Sequence, residues 1–166
     1  SKICGEALAR SFFYKYGLPY VALRYMNVYG PRQDYLGVYV AVIIKIIDSL
    51  HKGVPPMIHG DGSQSFDFVY VRDICRANIL AMKSERADTA YNVSSGVRTS
   101  VLELCKMIME LMGSKLEIDF RKVDEKALVN NRIGSTERAE RELGFKTTVD
   151  LKEGLEKTIK WKLSLL

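Results

Sequence analysis

One stretch, Leu23 to Gln33 (LRYMNVYGPRQ), narrows the folds open to this chain more than any other. It opens as a strand: Val21, Ala22 and Leu23 are apolar, and Tyr25, Val28 and Tyr29 are types that suit a pleated surface. It closes at Gly30-Pro31. Proline has no N–H to give a ladder, and glycine admits a turn that other residues resist. A buried strand ending in a polar, turn-forming tip is where open α/β sheets seat ligands, just beyond the carboxyl end. Asn27 lies near that end. Two readings stay open on these residues alone: a core strand with a polar exit, or a ligand-facing tip.

The flanking segments alternate helix and strand patterns. Residues 1–16 carry Cys4, Leu8 and Phe12 at four-residue spacing, flanked by Ile3 and Ala7, and Gly17 stops them, which predicts an amphipathic helix. Val38 to Leu50 is predicted as a second helix, with Ile43, Ile46, Ile47 and Leu50 on its apolar face and Lys45 and Asp48 off it. Met57-Ile58-His59 reads as a strand, Gly60-Asp61-Gly62 as a turn, Gln64 to Val71 as a strand, and Arg72 to Lys83 as a helix. Tyr91-Asn92-Val93 is a further short strand. Ser100 with Glu103 forms a capping box for a helix closed by Gly113. Leu116 to Phe120 reads as strand, Glu125 to Gly134 as loop, Ser135 to Leu143 as a short helix capped by serine, and Asp150 onward as a last helix. The alternation predicts an α/β fold.

The chain's 166 residues suffice for one compact core, and 47% hydrophobic content excludes disordered and fibrous classes. A net charge of +5 suits an anionic ligand and equally a weak nucleic-acid contact, but the basic residues are scattered, so most read as solvated surface. Cys4, Cys75 and Cys105 are far apart, which predicts buried packing thiols in a reducing cytoplasm. His51 and His59 are too isolated to argue for a metal. The longest apolar run, Val38 to Ile44, is too short to span a bilayer.

The central stretch resembles the RYFNVYGPRQ segment of extended short-chain dehydrogenases, the NAD-dependent nucleotide-sugar epimerases and dehydratases. The resemblance continues through Gly60-Asp61-Gly62-Ser63-Gln64, Asp67-Phe68-Val69-Tyr70-Val71, Tyr91-Asn92-Val93 and Leu143-Gly144-Phe145. It implies the last strands and helices of a doubly wound, Rossmann-like parallel sheet plus a small substrate-binding α/β lobe. It also implies a catalytic tyrosine four residues before Lys2, a position ahead of Ser1, and a glycine-rich dinucleotide loop further upstream. The expectation is therefore that residues 1–166 form the carboxyl-terminal half of such an enzyme. Alone, that half is expected to be inactive and not to retain NAD.

The resemblance also assigns residues. Lys2 corresponds to the lysine that hydrogen-bonds the nicotinamide ribose and, by its charge, favours the tyrosine phenolate. Tyr25 and Met26 correspond to positions lying against the nicotinamide, and Asn27 to an asparagine that meets the substrate pyrophosphate. Pro56, Met57 and His59 match a segment that packs on the nucleotide base. The informative departure is Phe66, which stands where most relatives carry an arginine clamping the pyrophosphate. Phenylalanine has no guanidinium fork to offer phosphate, so Arg132 is expected to supply the charge, with Arg121 behind it. Ser135 replaces a frequent aspartate. The carboxylates Asp67 and Asp73 are read as fixing local backbone rather than as an acid/base pair.

The implied activity is NAD-dependent 4-epimerisation of a nucleotide-sugar, UDP-linked in the leading reading, by a homodimer. A nucleotide-sugar 4,6-dehydratase, or a non-catalytic RNA-binding module of the same fold, are the alternatives.

Overall fold

The structure, a computed structural model, describes residues 1–36, 41–122 and 131–166. Helix α1 (Lys2–Tyr16) is followed by β1 (Val21–Tyr25), β2 (Asn27–Tyr29), α2 (Val42–His51) and β3 (Met57–His59). Next come β4 (Ser65–Phe66), β5 (Phe68–Tyr70), α3 (Val71–Lys83), β6 (Thr89–Val93) and β7 (Thr99–Ser100). The chain ends with α4 (Val101–Leu111), β8 (Asp119–Arg121), β9 (Asn131–Arg132), α5 (Glu137–Leu143) and α6 (Leu151–Leu163). The expected α/β class holds. Pairs β1–β6, β2–β5, β3–β8 and β4–β9 are parallel, and β4–β7 is antiparallel.

Two predicted strands are each broken. The first splits at Met26: its N–H donates to the Val93 carbonyl, and one residue later the Asn27 N–H donates to the Asp67 carbonyl. The chain thus leaves β6 as partner and takes up β5. The second splits at Asp67, whose side chain is withdrawn into the interior. Part of the predicted loop near Gly134 is instead β9, held in register against β4. The predicted residues 38–40 of the second helix and 125–130 of that loop lie outside the described residues.

Parallel strands need cover on both faces. On one side α2, α4 and α6 meet β2 and β5 in a cluster that includes Tyr29, Ile46, Ile47, Phe68, Leu104 and Leu155. On the other, α3 and α5 enclose Val69, Ala77, Tyr91, Val93 and Phe145. Capping follows the expected chemistry at α4, where the Ser100 hydroxyl accepts the Glu103 N–H and the Glu103 carboxylate accepts the Ser100 N–H. At α6 the Asp150 carboxylate accepts the Glu153 N–H, a cap without the reciprocal bond. Ser135 does not cap α5: the cap position is Thr136, with no side-chain bond.

A further expectation is corrected. Of the cysteines only Cys105 is buried, its thiol pushed up to about 11 by that burial; Cys4 and Cys75 are exposed. The apolar stripe of α1 is largely exposed, with Ile3 and Leu8 standing 84% and 60% exposed. Polar ties hold α1 instead. Glu6 pairs with Arg24, and Asp88 accepts from Arg10, Tyr14 and Tyr20.

A second set of ties sets an acid limit. The Tyr91 hydroxyl donates to Glu142 at 2.8 Å; with Arg141 and Arg138 it holds that carboxyl down at about 2, against an ordinary 4.5. A depressed carboxyl stabilises the fold above its unfolded value and loses that contribution as pH falls through the folded one. Glu142→Gln is expected to flatten the decline in stability below about pH 4.5, read by urea titrations at stepped pH.

Candidate functional site

The break at Met26 opens the site. There the chain passes from the β1–β6 ladder to the β2–β5 ladder, and such a divergence is where doubly wound sheets seat ligands. A cleft of about 1080 Å³ begins at Met26 and Asn27 and runs between α2, β3, β4 and β9. Six residues singled out from the sequence line it: Met26, Asn27, Met57, His59, Phe66 and Arg132.

Asn27 is held from below. Its N–H (3.0 Å) and its side-chain Nδ2 (3.1 Å) both donate to the Asp67 carbonyl, which orients the amide and leaves one N–H and the Oδ1 for other partners. Asp67 is fully buried. Its carboxylate accepts the Ser95 N–H (2.7 Å), the Ser95 hydroxyl (2.8 Å) and the Gly96 N–H (2.9 Å), while its own N–H donates to the Arg132 carbonyl. One buried residue therefore fixes Asn27, the Ser95–Gly96 turn and the strand that carries Arg132. Asp73 plays a comparable part at α3, accepting the Thr148 and Val149 N–H groups, the Thr148 hydroxyl and Arg76. Both carboxylates serve the backbone, as expected of them.

Phe66 and Arg132 are register partners on β4 and β9. Partners in register project to the same face, so the arginine stands one strand from the position Phe66 occupies. The Phe66 ring packs against Phe68 at 6.3 Å. The Arg132 guanidinium is exposed and has no hydrogen bond or ion pair among the described residues. Arg121, the second candidate, is engaged with Asp119 at 2.8 Å and does not line the cleft.

On β3 the alternation places Met57 and His59 outward and Ile58 in the core. Gln64 donates from Nε2 to the His59 carbonyl, but its Oε1 is buried at the cleft wall with no hydrogen-bond partner among the described residues. Pro56 is buried and does not line the cleft; its carbonyl accepts the Asp119 N–H and so anchors β8 to β3. Tyr25 faces a second, smaller cleft of about 350 Å³, its hydroxyl donating to Asn78. Lys2 is exposed in the first turn of α1 and lines neither cleft.

The sequence reading passed over Tyr35, Lys45 and Asp48, which also line the main cleft. Lys45 and Asp48 had been recognisable as the polar positions of α2, but nothing in a periodicity says what a polar face borders. Among the described lining residues the cations are Lys45 and Arg132, and Asp48 is the one carboxylate. No group of His, Cys, Asp and Glu suited to a metal ion occurs among the described residues, and no described helix is long and apolar enough to cross a membrane.

Residues 1–94 match the NAD dependent epimerase/dehydratase family. The fold matches the UDP-N-acetylglucosamine 4-epimerase of Methanobrevibacter ruminantium M1, solved with UDP-N-acetylmuramic acid. That likeness has a TM-score of 0.93 and 36% identity, covering 99% of this chain and 53% of that one. It also matches the UDP-glucose 4-epimerase of Thermotoga maritima, solved with UDP-glucose (TM-score 0.92, 34% identity, 99% and 52% covered). A dTDP-D-glucose 4,6-dehydratase of Bos taurus is 31% identical over 166 residues, 97% of this chain and 46% of that protein. The chain spans about half the length of the curated relatives it matches.

Proposed function

The chain belongs to the NAD-dependent epimerase/dehydratase family, and from that premise we propose that its cleft seats the nucleoside diphosphate of a UDP-sugar and that the whole protein is a 4-epimerase. The observation that carries this reading is the convergence of Met26, Asn27, Met57, His59, Phe66 and Arg132 on one cleft with two cations in its wall. Asn27 and Arg132 address the pyrophosphate. A neutral amide N–H and an uncommitted guanidinium both donate to phosphate oxygens, and the guanidinium forks onto two at once. Met57 and His59 offer soft and flat surfaces to the base. Phe66 closes the wall beside them.

The residues fit the family's cofactor in part. NAD, when bound, supplies the acceptor and donor for the hydride of a sugar carbon. Met26, lining the cleft at the strand break, is the apolar surface that excludes water beside it. Lys2 carries the ammonium that would hold the cofactor ribose and favour a phenolate. Tyr25 contributes backbone here, since its phenol is turned to Asn78. A homodimer through α1 belongs to the same proposal: Ile3 and Leu8 are exposed, and Gly5, Ala7 and Ala9 allow close approach of a second helix.

The dehydratase relative keeps a second reading in play, removal of water from the sugar after its oxidation. Calorimetry with UDP-glucose, UDP-N-acetylglucosamine and dTDP-glucose tests the cleft, and NMR of the products formed by the whole protein tests the reaction. UDP-sugar binding with inversion at C4 is the expected result. A 4-keto-6-deoxy product assigns the dehydratase, and no binding of any of these ligands overturns the cleft. Arg132→Ala is expected to weaken UDP binding about tenfold, roughly 1.4 kcal/mol, and Arg132→Lys to recover part of it because the charge returns without the fork.

A further inference from the structure

Asp48 is a misfit in a cleft read as a diphosphate site. It lines the same wall as Lys45, on α2, and a carboxylate there repels an anionic ligand. The structure answers that charge from behind. Lys162, in the last turn of α6, sends its Nζ to within 2.7 Å of Asp48 Oδ1. The lysine side chain is 4% exposed, whereas Asp48 is 28% exposed. The same ammonium lies 4.9 Å from the centre of the Tyr35 ring, which meets Trp161 edge-on at 6.0 Å. Tyr35 also lines the cleft.

A buried lysine is costly to keep, and its retention is weak evidence for stability. Here it has a more specific use. We infer that Lys162 is a positioning residue for ligand charge: through Asp48 it cancels the one carboxylate among the described cleft residues, so that the wall stays cationic toward a diphosphate. Lys162 does not line the cleft and does not touch the ligand. It acts by neutralising Asp48 and by holding Tyr35 and α2 in place.

The inference rests on the reading of the cleft as a diphosphate site, and its test separates the two. UDP and uridine are titrated calorimetrically into the protein and into Lys162→Met, Asp48→Asn and the double variant. Lys162→Met bares a negative charge and is expected to weaken UDP about fivefold. Asp48→Asn bares a positive one and is expected to tighten UDP by about the same factor. The double variant returns close to the starting affinity, Lys162→Arg keeps it, and uridine, with no phosphate, is moved by none of them. Both shifts shrink in high salt. A merely structural pair gives loss in both single variants, and that outcome, or equal shifts for uridine, overturns the inference. Should Lys162→Met fail to fold, Asp48→Asn decides alone: tighter UDP upholds the inference and weaker or unchanged UDP overturns it. Absence of UDP binding in the unaltered protein overturns the diphosphate reading and takes this inference with it.

Discussion

Asp67→Ala is expected to cost about 2–4 kcal/mol of folding stability and, in whatever remains folded, to weaken nucleotide binding as well. The loss has a countable origin. Three donors, the Ser95 and Gly96 N–H groups and the Ser95 hydroxyl, end on this one buried carboxylate. Removing it strips the acceptor from two backbone N–H groups, at half-buried Ser95 and exposed Gly96, and leaves a void where the carboxylate was buried. Asp67→Asn is expected to cost less, since it retains one acceptor oxygen while turning an NH2 group toward a donor. The effect on binding follows from the backbone of the same residue, which holds Asn27 by its carbonyl and β9 by its N–H. Asp73→Ala is the matched comparison. It strips a similar set of bonds from an equally buried carboxylate that is no part of the cleft. Urea unfolding should show comparable losses for the two, and UDP titration at low temperature should separate them.

Gly154→Ala is the second large effect, and its sign runs against helix propensity. Gly154 lies within α6, where alanine would ordinarily gain about 1 kcal/mol. A methyl group there would collide with the Tyr29 hydroxyl and come within 2.8 and 3.0 Å of its ring carbons. Retreat of Tyr29 would break its packing: it is 2% exposed, packs edge-on against Phe68 and Tyr70, and donates its hydroxyl to the Leu151 carbonyl. The net expectation is a loss of about 2–3 kcal/mol, as for other overpacked cores. Tyr29→Phe removes the nearest atom and leaves the ring, so the double variant should lose less than the two single changes added together. Thermal melts of all four proteins close the cycle.

Much of this was legible in the residues, for reasons that differ by element. The α4 cap was readable because a capping box is purely local. The structural duty of Asp67 and Asp73 was legible because they stand six residues apart, on either side of a single strand-to-helix change. Arg132 was reached by asking what could compensate for Phe66, and register pairing puts the two side by side. The breaks at Met26 and Asp67 were not legible, because a change of partner depends on strands far along the chain. For the same reason the apolar stripe of α1 gave a correct helix but no account of what lies against it: periodicity reports a face, not what covers it. The coupling of Lys162 to Asp48 joins α6 to α2 across the core, and no spacing rule connects them.

The ladder partners carry a last consequence, for the time it takes this chain to find its shape. Val21 pairs with Thr89, Asn27 with Phe68, Met57 with Asp119 and Ser65 with both Ser100 and Asn131. None of these joins strands that follow one another through a tight turn, so among the described residues no hairpin offers a quick nucleus. Each ladder must close a long loop before its hydrogen bonds repay the lost entropy. During synthesis the β1–β6 ladder cannot form until β6 has left the ribosome.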